Sequence, residues 1–400
     1  MGKKTVFIVV DGMADLPIGK EERTPLTEAK KPNIDWFAKN GATGQLTVIP
    51  DKMWNDLASA SISHKAAISL LGYNVAKFDV KRGPLEAVGA DIPYQDGHLA
   101  LRCNFATVDK NMVVTDRRAG RSTKGLAELA RYINEHVDIG APFNFMRTYG
   151  HRAVLVVKMG LTDKIVTNDP LVTGRPVQKI SGPGAEGVVS SKILQNFADK
   201  THQLIEYHPI NSERMAAGVP AANYILLREP GNGIKRLTPE FGKRFGVKAM
   251  CICELGAVRG ACLMAGFDAV TVPEMPFEDT LDFIFENADV ALEDHDFVFI
   301  HIKGPIDEAS HDGDFEAKRR AIEKIDERMA RFKKFDGIVV MTTDHITSTE
   351  RKSHMPGKVP LMVWGRAKDA TAKFDEATAK RGKLKNCSPF QLMKFVFGKK

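Results

Sequence analysis

The sequence predicts an α/β protein: a mainly parallel central sheet flanked by helices, with an α+β domain inserted in the chain. Three observations carry this expectation. Short runs rich in Val, Ile and Phe recur at residues 6–10, 297–302, 338–341 and 361–364. Being apolar on both faces, they read as buried strands of a parallel sheet. A helical pattern separates the second run from the third, which makes a strand–helix–strand crossover. The middle of the chain, residues 76–220, carries its own strand-like runs at 99–106, 112–115 and 153–157. It is read as the insertion, and residues 1–75 and 221–400 as one discontinuous core domain.

The helix after His311 is the clearest. Phe315, Ile322, Ile325, Met329 and Phe332 recur at steps of three, four or seven residues. Lys318, Arg319, Arg320, Glu323, Lys324, Glu327 and Arg328 are expected to fill its solvent face. Gly337 opens the strand that follows.

Composition bounds the class. The chain has 400 residues, 43% hydrophobic and 27% charged, so it needs no disulfide staples to hold a core. Its five cysteines, Cys103, Cys251, Cys253, Cys262 and Cys387, include no C-x-x-C pair. They read as small buried hydrophobes in a reducing compartment. The apolar run near the N-terminus is too short for a signal peptide, and no segment approaches a membrane span. A soluble cytoplasmic protein with no membrane partner is expected. The net charge of +7 is scattered, without an aromatic-rich basic stripe, so no nucleic-acid partner is expected.

Polar residues collect just after the strand runs. Asp11 follows the first, Asp307 and His311 the second, and Asp344 and His345 the third, while His354 precedes the fourth. In open α/β sheets, sites form at the carboxyl ends of strands. Mixed carboxylate and imidazole ligands of this kind suit two divalent ions that clamp a transferring phosphoryl group. A nucleophile is then expected near Asp11. Ser59, Ser61 and Ser63 precede an apolar helical pattern, where a helix start favours phosphate. His64 adjoins Ser63 and is not taken as its base, since adjacent helical side chains diverge.

The segments VVDGMAD, TPLTEAKKPNID, LLGYN, RGPLEAVG, RCNFATVD, DRRAGR, GHRAVLVV, HPINSER, PAANYILLR, DFVFIHIKG, DEASHDGDFEAK and TTDHITSTERKSH make the chain resemble archaeal-type, 2,3-bisphosphoglycerate-independent phosphoglycerate mutases along its whole length. The resemblance implies an alkaline-phosphatase-like core and interconversion of 3- and 2-phosphoglycerate through a phosphoserine, a step of glycolysis and gluconeogenesis. It implies two divalent ions, manganese first and magnesium, cobalt or zinc as alternatives, and no bisphosphoglycerate. One ion would be held by Asp11, Ser63, Asp344 and His345, the other by Asp307, His311 and His354. Ser63 is chosen by counting back from LLGYN. Arg117, Arg118 and Arg121, with His151, Arg152 and Lys303, would hold the small phosphorylated substrate, since guanidinium forks match its anionic groups. Homo-oligomerisation is left open.

Four features depart from the family pattern: Ile62-Ser63-His64 in place of Gly-Ser-Asp, Ala67 in place of His or Asn, a C-terminal GKLKNCSPFQLM without arginines, and one extra residue, Pro305 or Ile306. They keep open a second function, a metal-dependent phosphatase or phosphotransferase on the same core.

Overall fold

The segment TVFIVV has no polar side chain after Thr5, and it forms the fully buried strand β1 (Thr5–Val10). A computed structural model describes residues 2–54, 62–78 and 80–398. After β1 come β2 (Ala42–Leu46), β3 (His98–Val108), β4 (Val114–Asp116), β5 (Phe143–Arg147), β6 (Arg152–Gly160) and β7 (Tyr224–Gly231). The C-terminal part adds β8 (Ala249–Cys253), β9 (Asp268–Thr271), β10 (Phe297–Ile302), β11 (Ile338–Thr342), β12 (Ile346–Ser348), β13 (Ser353–Met355), β14 (Val359–Trp364) and β15 (Asn386–Cys387). The chain divides into two units, residues 1–79, 236–254 and 261–400 in one and residues 80–235 and 255–260 in the other.

The first unit is built on an eight-stranded sheet in the order β15-β2-β14-β11-β1-β10-β8-β9. β10 and β11 flank β1, both parallel to it, with Val10 opposite Ile302 and Val9 opposite Thr342. These three strands are buried along their whole length, as their two-faced hydrophobicity requires. On one face Val6, Ile8 and Val10 join a cluster with Phe37, Ile284, Phe285, Ile322, Ile325 and Met329 from covering helices. On the other, Phe7 stacks on Phe299 at 5.8 Å. Each such Phe or Ile removes enough apolar area to contribute roughly 1.5–3 kcal/mol.

Two expectations change here. The run at 361–364 lies in β14, which is antiparallel to β11. The segment between them holds the short β12–β13 hairpin and no crossover helix, and a parallel return needs such a crossover. Lys318 is not on a solvent face. It is fully buried within the helix Phe315–Met329. A residue at 318 precedes Ile322 by four and Ile325 by seven, so it shares their inward stripe.

The second unit is an antiparallel sheet, β4-β3-β6-β5, with β7 pairing along β3 from Ala100 to Ala106. β7 lies beyond residue 220, the expected end of the insertion, yet this ladder ties it to the second unit. The helices Leu126–His136 and Gly184–Ile205 cover one face through Leu129, Ile133, Leu194 and Phe197. Among the described residues of the chain, no helix is long and apolar enough to cross a membrane.

Candidate active site

Because β10, β1 and β11 run parallel in register, their carboxyl ends bring three carboxylates together. Asp11 follows β1, Asp344 follows β11, and Asp307 lies on the helix Gly304–Asp312 that follows β10. His311 is one turn on from Asp307, and His345 follows Asp344. His354 arrives by the hairpin, paired opposite Thr347. Two groups result: Asp11, Asp344 and His345, all buried, and Asp307, His311 and His354, half-buried, with the ligand-type atoms of each group within 4.8 Å of one another.

In the buried group, His345 Nε2 lies 3.2 Å from Asp11 Oδ1 and 3.2 Å from Asp344 Oδ2. None of these three atoms makes a hydrogen bond of acceptable geometry. In the other group, Asp307 lies 3.5 Å from His311 Nε2 and 3.4 Å from His354 Nε2, and the two Nε2 atoms are 3.2 Å apart. His311 Nδ1 is 3.0 Å from the Lys352 carbonyl, to which it donates, so in the neutral ring Nε2 carries the lone pair. Ligands about 2.1 Å from a divalent cation stand about 3.0–3.4 Å from each other. The residues therefore fit two such cations.

Electrostatics agree with that fit. Burial and the neighbouring Asp11 charge push Asp344 well above the usual carboxylate range. Burial also acts to raise Asp307, but hydrogen bonding to His311 and His354 outweighs it and holds the group well below that range. Burial and the Asp307 charge act to raise Asp11, but contact with His345 and the His301 ring together leave it lowered. Two buried carboxylates and a half-buried third this close are costly unless positive charge lies among them.

Ser63 is the first residue of the helix Ser63–Leu70 and is half-buried, and no hydrogen bond joins its side chain to either group among the described residues. Ser59 and Ser61 lie outside the described residues. Lys303 immediately precedes the helix that carries Asp307, and its charge acts on the buried Glu254.

The arginines named from sequence separate. Arg117 is engaged by Asp169, with Nε at 3.1 Å and Nη2 at 2.6 Å from its two oxygens. Arg118 is half-buried, Arg121 exposed and His151 buried. Arg152 stands opposite Asn104 on the β3–β6 ladder, and Arg102 stands opposite Arg228 on β3–β7. Opposed residues share a face, so Arg102, Arg152 and Arg228 form a guanidinium patch. The Nε atoms of Arg102 and Arg152 are buried without hydrogen bonds, and that of Arg228 lies 2.9 Å from Asp169 Oδ2. Burial and then the adjacent Arg82 push the Arg102 pKa down.

The family model described as 2,3-bisphosphoglycerate-independent phosphoglycerate mutase matches residues 38–211. A Methanocaldococcus jannaschii protein of that name is 35% identical over 397 residues, covering 95% of this chain and 93% of its own length. One from Pyrococcus furiosus is 38% identical, covering 96% and 93%. The chain belongs to the 2,3-bisphosphoglycerate-independent phosphoglycerate mutase family. Among solved structures, the cofactor-independent phosphoglycerate mutase of Thermoplasma acidophilum aligns over 99% of both chains with a TM-score of 0.60 and 28% identity. A Pyrococcus horikoshii protein aligns over 100% of this chain and 98% of its own with a TM-score of 0.76 and 25% identity.

Against this mutase family, the departures have structural homes. His64 is buried, as is Ala67. Pro305 enters the first turn of the helix Gly304–Asp312, where its missing N–H costs no helical bond. Asp307 and His311 keep their one-turn spacing. Sequence reasoning passed over four residues near these sites. Thr347 touches both ligand groups. Lys318 holds the loops beneath them. His301, on β10, is pushed down to about 4 by burial, so it is neutral near pH 7. Arg228 faces Arg102. In hindsight the signal for Arg228 was a charge placed within the apolar run YILLR.

Proposed function

We propose that this chain interconverts 3-phosphoglycerate and 2-phosphoglycerate without bisphosphoglycerate, through a phosphorylated Ser63 at a site that takes two divalent cations. Family membership along nearly the whole chain supports the reaction. One observation carries the metal dependence: Asp11 Oδ1, Asp344 Oδ2 and His345 Nε2 converge in a buried site without a hydrogen bond among them. In this reading Asp11, Ser63, Asp344 and His345 hold one ion, and Asp307, His311 and His354 the other. Manganese is the proposed ion, with magnesium, cobalt or zinc as alternatives. Such ions supply Lewis-acid charge to phosphoryl oxygens and lower the pKa of a serine hydroxyl.

Ser63 Oγ attacks phosphorus, and the bond from phosphorus to the C3 oxygen breaks. That oxygen takes a proton and becomes the C3 hydroxyl of glycerate. The C2 hydroxyl then displaces Ser63 Oγ, which regains its proton. Main-chain amides at the start of the helix Ser63–Leu70 favour the phosphate on Ser63. Glycerate has to be retained while it turns. Arg117, Arg118, Arg121, His151, Arg152 and Lys303 are proposed to hold its anionic groups, and the patch adds Arg102 and Arg228. The protein acts in the cytoplasm, in glycolysis and gluconeogenesis.

Phosphorus NMR of manganese-loaded protein with 3-phosphoglycerate tests the reaction. The expected result is 2-phosphoglycerate without free phosphate and without added bisphosphoglycerate. Release of phosphate alone would make the protein a phosphatase. Ser63→Ala is expected to reduce transfer to background while manganese still binds. Activity that survives the change would move the nucleophile to Ser59 or Ser61.

A further inference from the structure

Thr347 stands where the two ligand groups meet. Its Oγ1 lies 2.8 Å from Asp307 Oδ1 and 3.0 Å from His345 Nδ1. A hydroxyl has one proton to give, and a carboxylate only accepts. The hydroxyl proton therefore goes to Asp307, and His345 Nδ1–H donates to the same oxygen. This sets the His345 tautomer: Nδ1 carries a proton, and Nε2 is the position turned toward Asp11 and Asp344.

The main chain of Thr347 is held just as closely. Its carbonyl accepts from Lys318 Nζ at 2.8 Å, and its N–H donates to the Ala14 carbonyl at 3.0 Å. Lys318 Nζ also donates to Ala14 O at 3.1 Å and Asp15 Oδ2 at 3.0 Å. All three ammonium protons are used, with the lysine fully buried. The loop after β1 and the strand β12 are thus locked to one point.

Gly12 supplies independent support. Its φ is +63°, and a Cβ there would lie 2.5 Å from Thr347 Oγ1 and 2.8 Å from Asp307 Oδ1. The residue beside Asp11 leaves room for the Thr347–Asp307 hydrogen bond and for nothing larger.

We infer that Thr347, anchored by Lys318, is a positioning residue that couples the two cation sites: one hydroxyl orients a carboxylate of one site and sets the imidazole tautomer of the other. The inference rests on the two-cation reading above. Hydrogen-bond partners of metal ligands change metal affinity by about 10–100-fold when removed. Here one deletion weakens both sites together.

The test has two arms. Long-range nitrogen–proton NMR of metal-free protein, at a pH where the ring is neutral, reads the His345 tautomer. Calorimetric titration with Mn2+ reads both sites in wild type, Thr347→Val and Thr347→Ser. The expected results are an Nδ1–H tautomer in wild type, a fall of about 10–100-fold in Mn2+ affinity at both sites in Thr347→Val, and recovery in Thr347→Ser. An Nε2–H tautomer in wild type overturns the inference. So does a Thr347→Val protein that binds two Mn2+ as wild type does, or a Thr347→Ser protein as weak as the valine variant, which would mean the methyl group matters. If Thr347→Val does not fold, the wild-type tautomer and Thr347→Ser still decide. Wild type that binds no Mn2+ at all overturns the two-cation reading itself, and this inference with it.

Discussion

At the carboxyl ends of β10, β1 and β11, carboxylate and imidazole atoms crowd together with buried oxygens lacking hydrogen bonds. Around the antiparallel sheet of the second unit the clustered charge has the opposite sign. Among the described residues Arg82, Arg102, Arg117 and Arg228 pair with Glu86, Asp169 and Glu229, and Arg152 adds a fifth guanidinium group close enough to act on Arg102. The two regions thus concentrate opposite charge: the first suits divalent cations, and the second suits anionic groups. The supports differ as well. The carboxylates are aimed by main-chain groups, as when Gly12 N donates to Asp344 Oδ1 at 3.0 Å. Arg102, Arg152 and Arg228 instead project from the strands β3, β6 and β7, with Arg102 and Arg228 paired to acids.

This difference predicts separate signatures on mutation. Asp344→Asn removes an anionic ligand while keeping its shape. It should lower Mn2+ affinity by more than about 100-fold, the upper range for residues that only support a ligand, and turnover should fall with it. Unchanged manganese content and rate would remove Asp344 from the site. Lys318→Met leaves Asp15 buried without its ammonium, so unfolding free energy should drop by roughly 3–5 kcal/mol. A urea melt checks this, and a melt matching wild type would show that Lys318 is not a structural anchor. Arg152→Met should raise KM for 3-phosphoglycerate by about 10-fold, the loss of one charged hydrogen bond, with manganese binding unchanged. If that variant also lost manganese, the two regions would not be chemically separate.

Much of this was legible in the chain itself. Buried parallel strands announce themselves because burial on both faces demands uninterrupted Val, Ile and Phe, as in TVFIVV. Acids and histidines placed just beyond such runs stand out because carboxylates seldom follow a buried strand without a use. The β14 direction was not legible, since an apolar run is the same whichever way it points, and only the hairpin carrying His354 reverses the chain. Lys318 was hidden by its charge. Its spacing from Ile322 and Ile325 placed it inward, but composition argued for solvent until partners at Ala14, Asp15 and Thr347 were visible.

The amino-acid sequence by itself determined the strands, the helix after His311, the six ligand-type side chains and the family, because each depends on local spacing or on residue identity. Tertiary structure alone decided which atoms meet. Thr347 is an ordinary threonine in sequence, and it gains its place only because β10 and β11 bring Asp307 and His345 to opposite sides of one hydroxyl. Likewise Arg102 and Arg228 lie far apart along the chain and become one patch only through the β3–β7 ladder. Long-range register creates such contacts, and no local pattern encodes it.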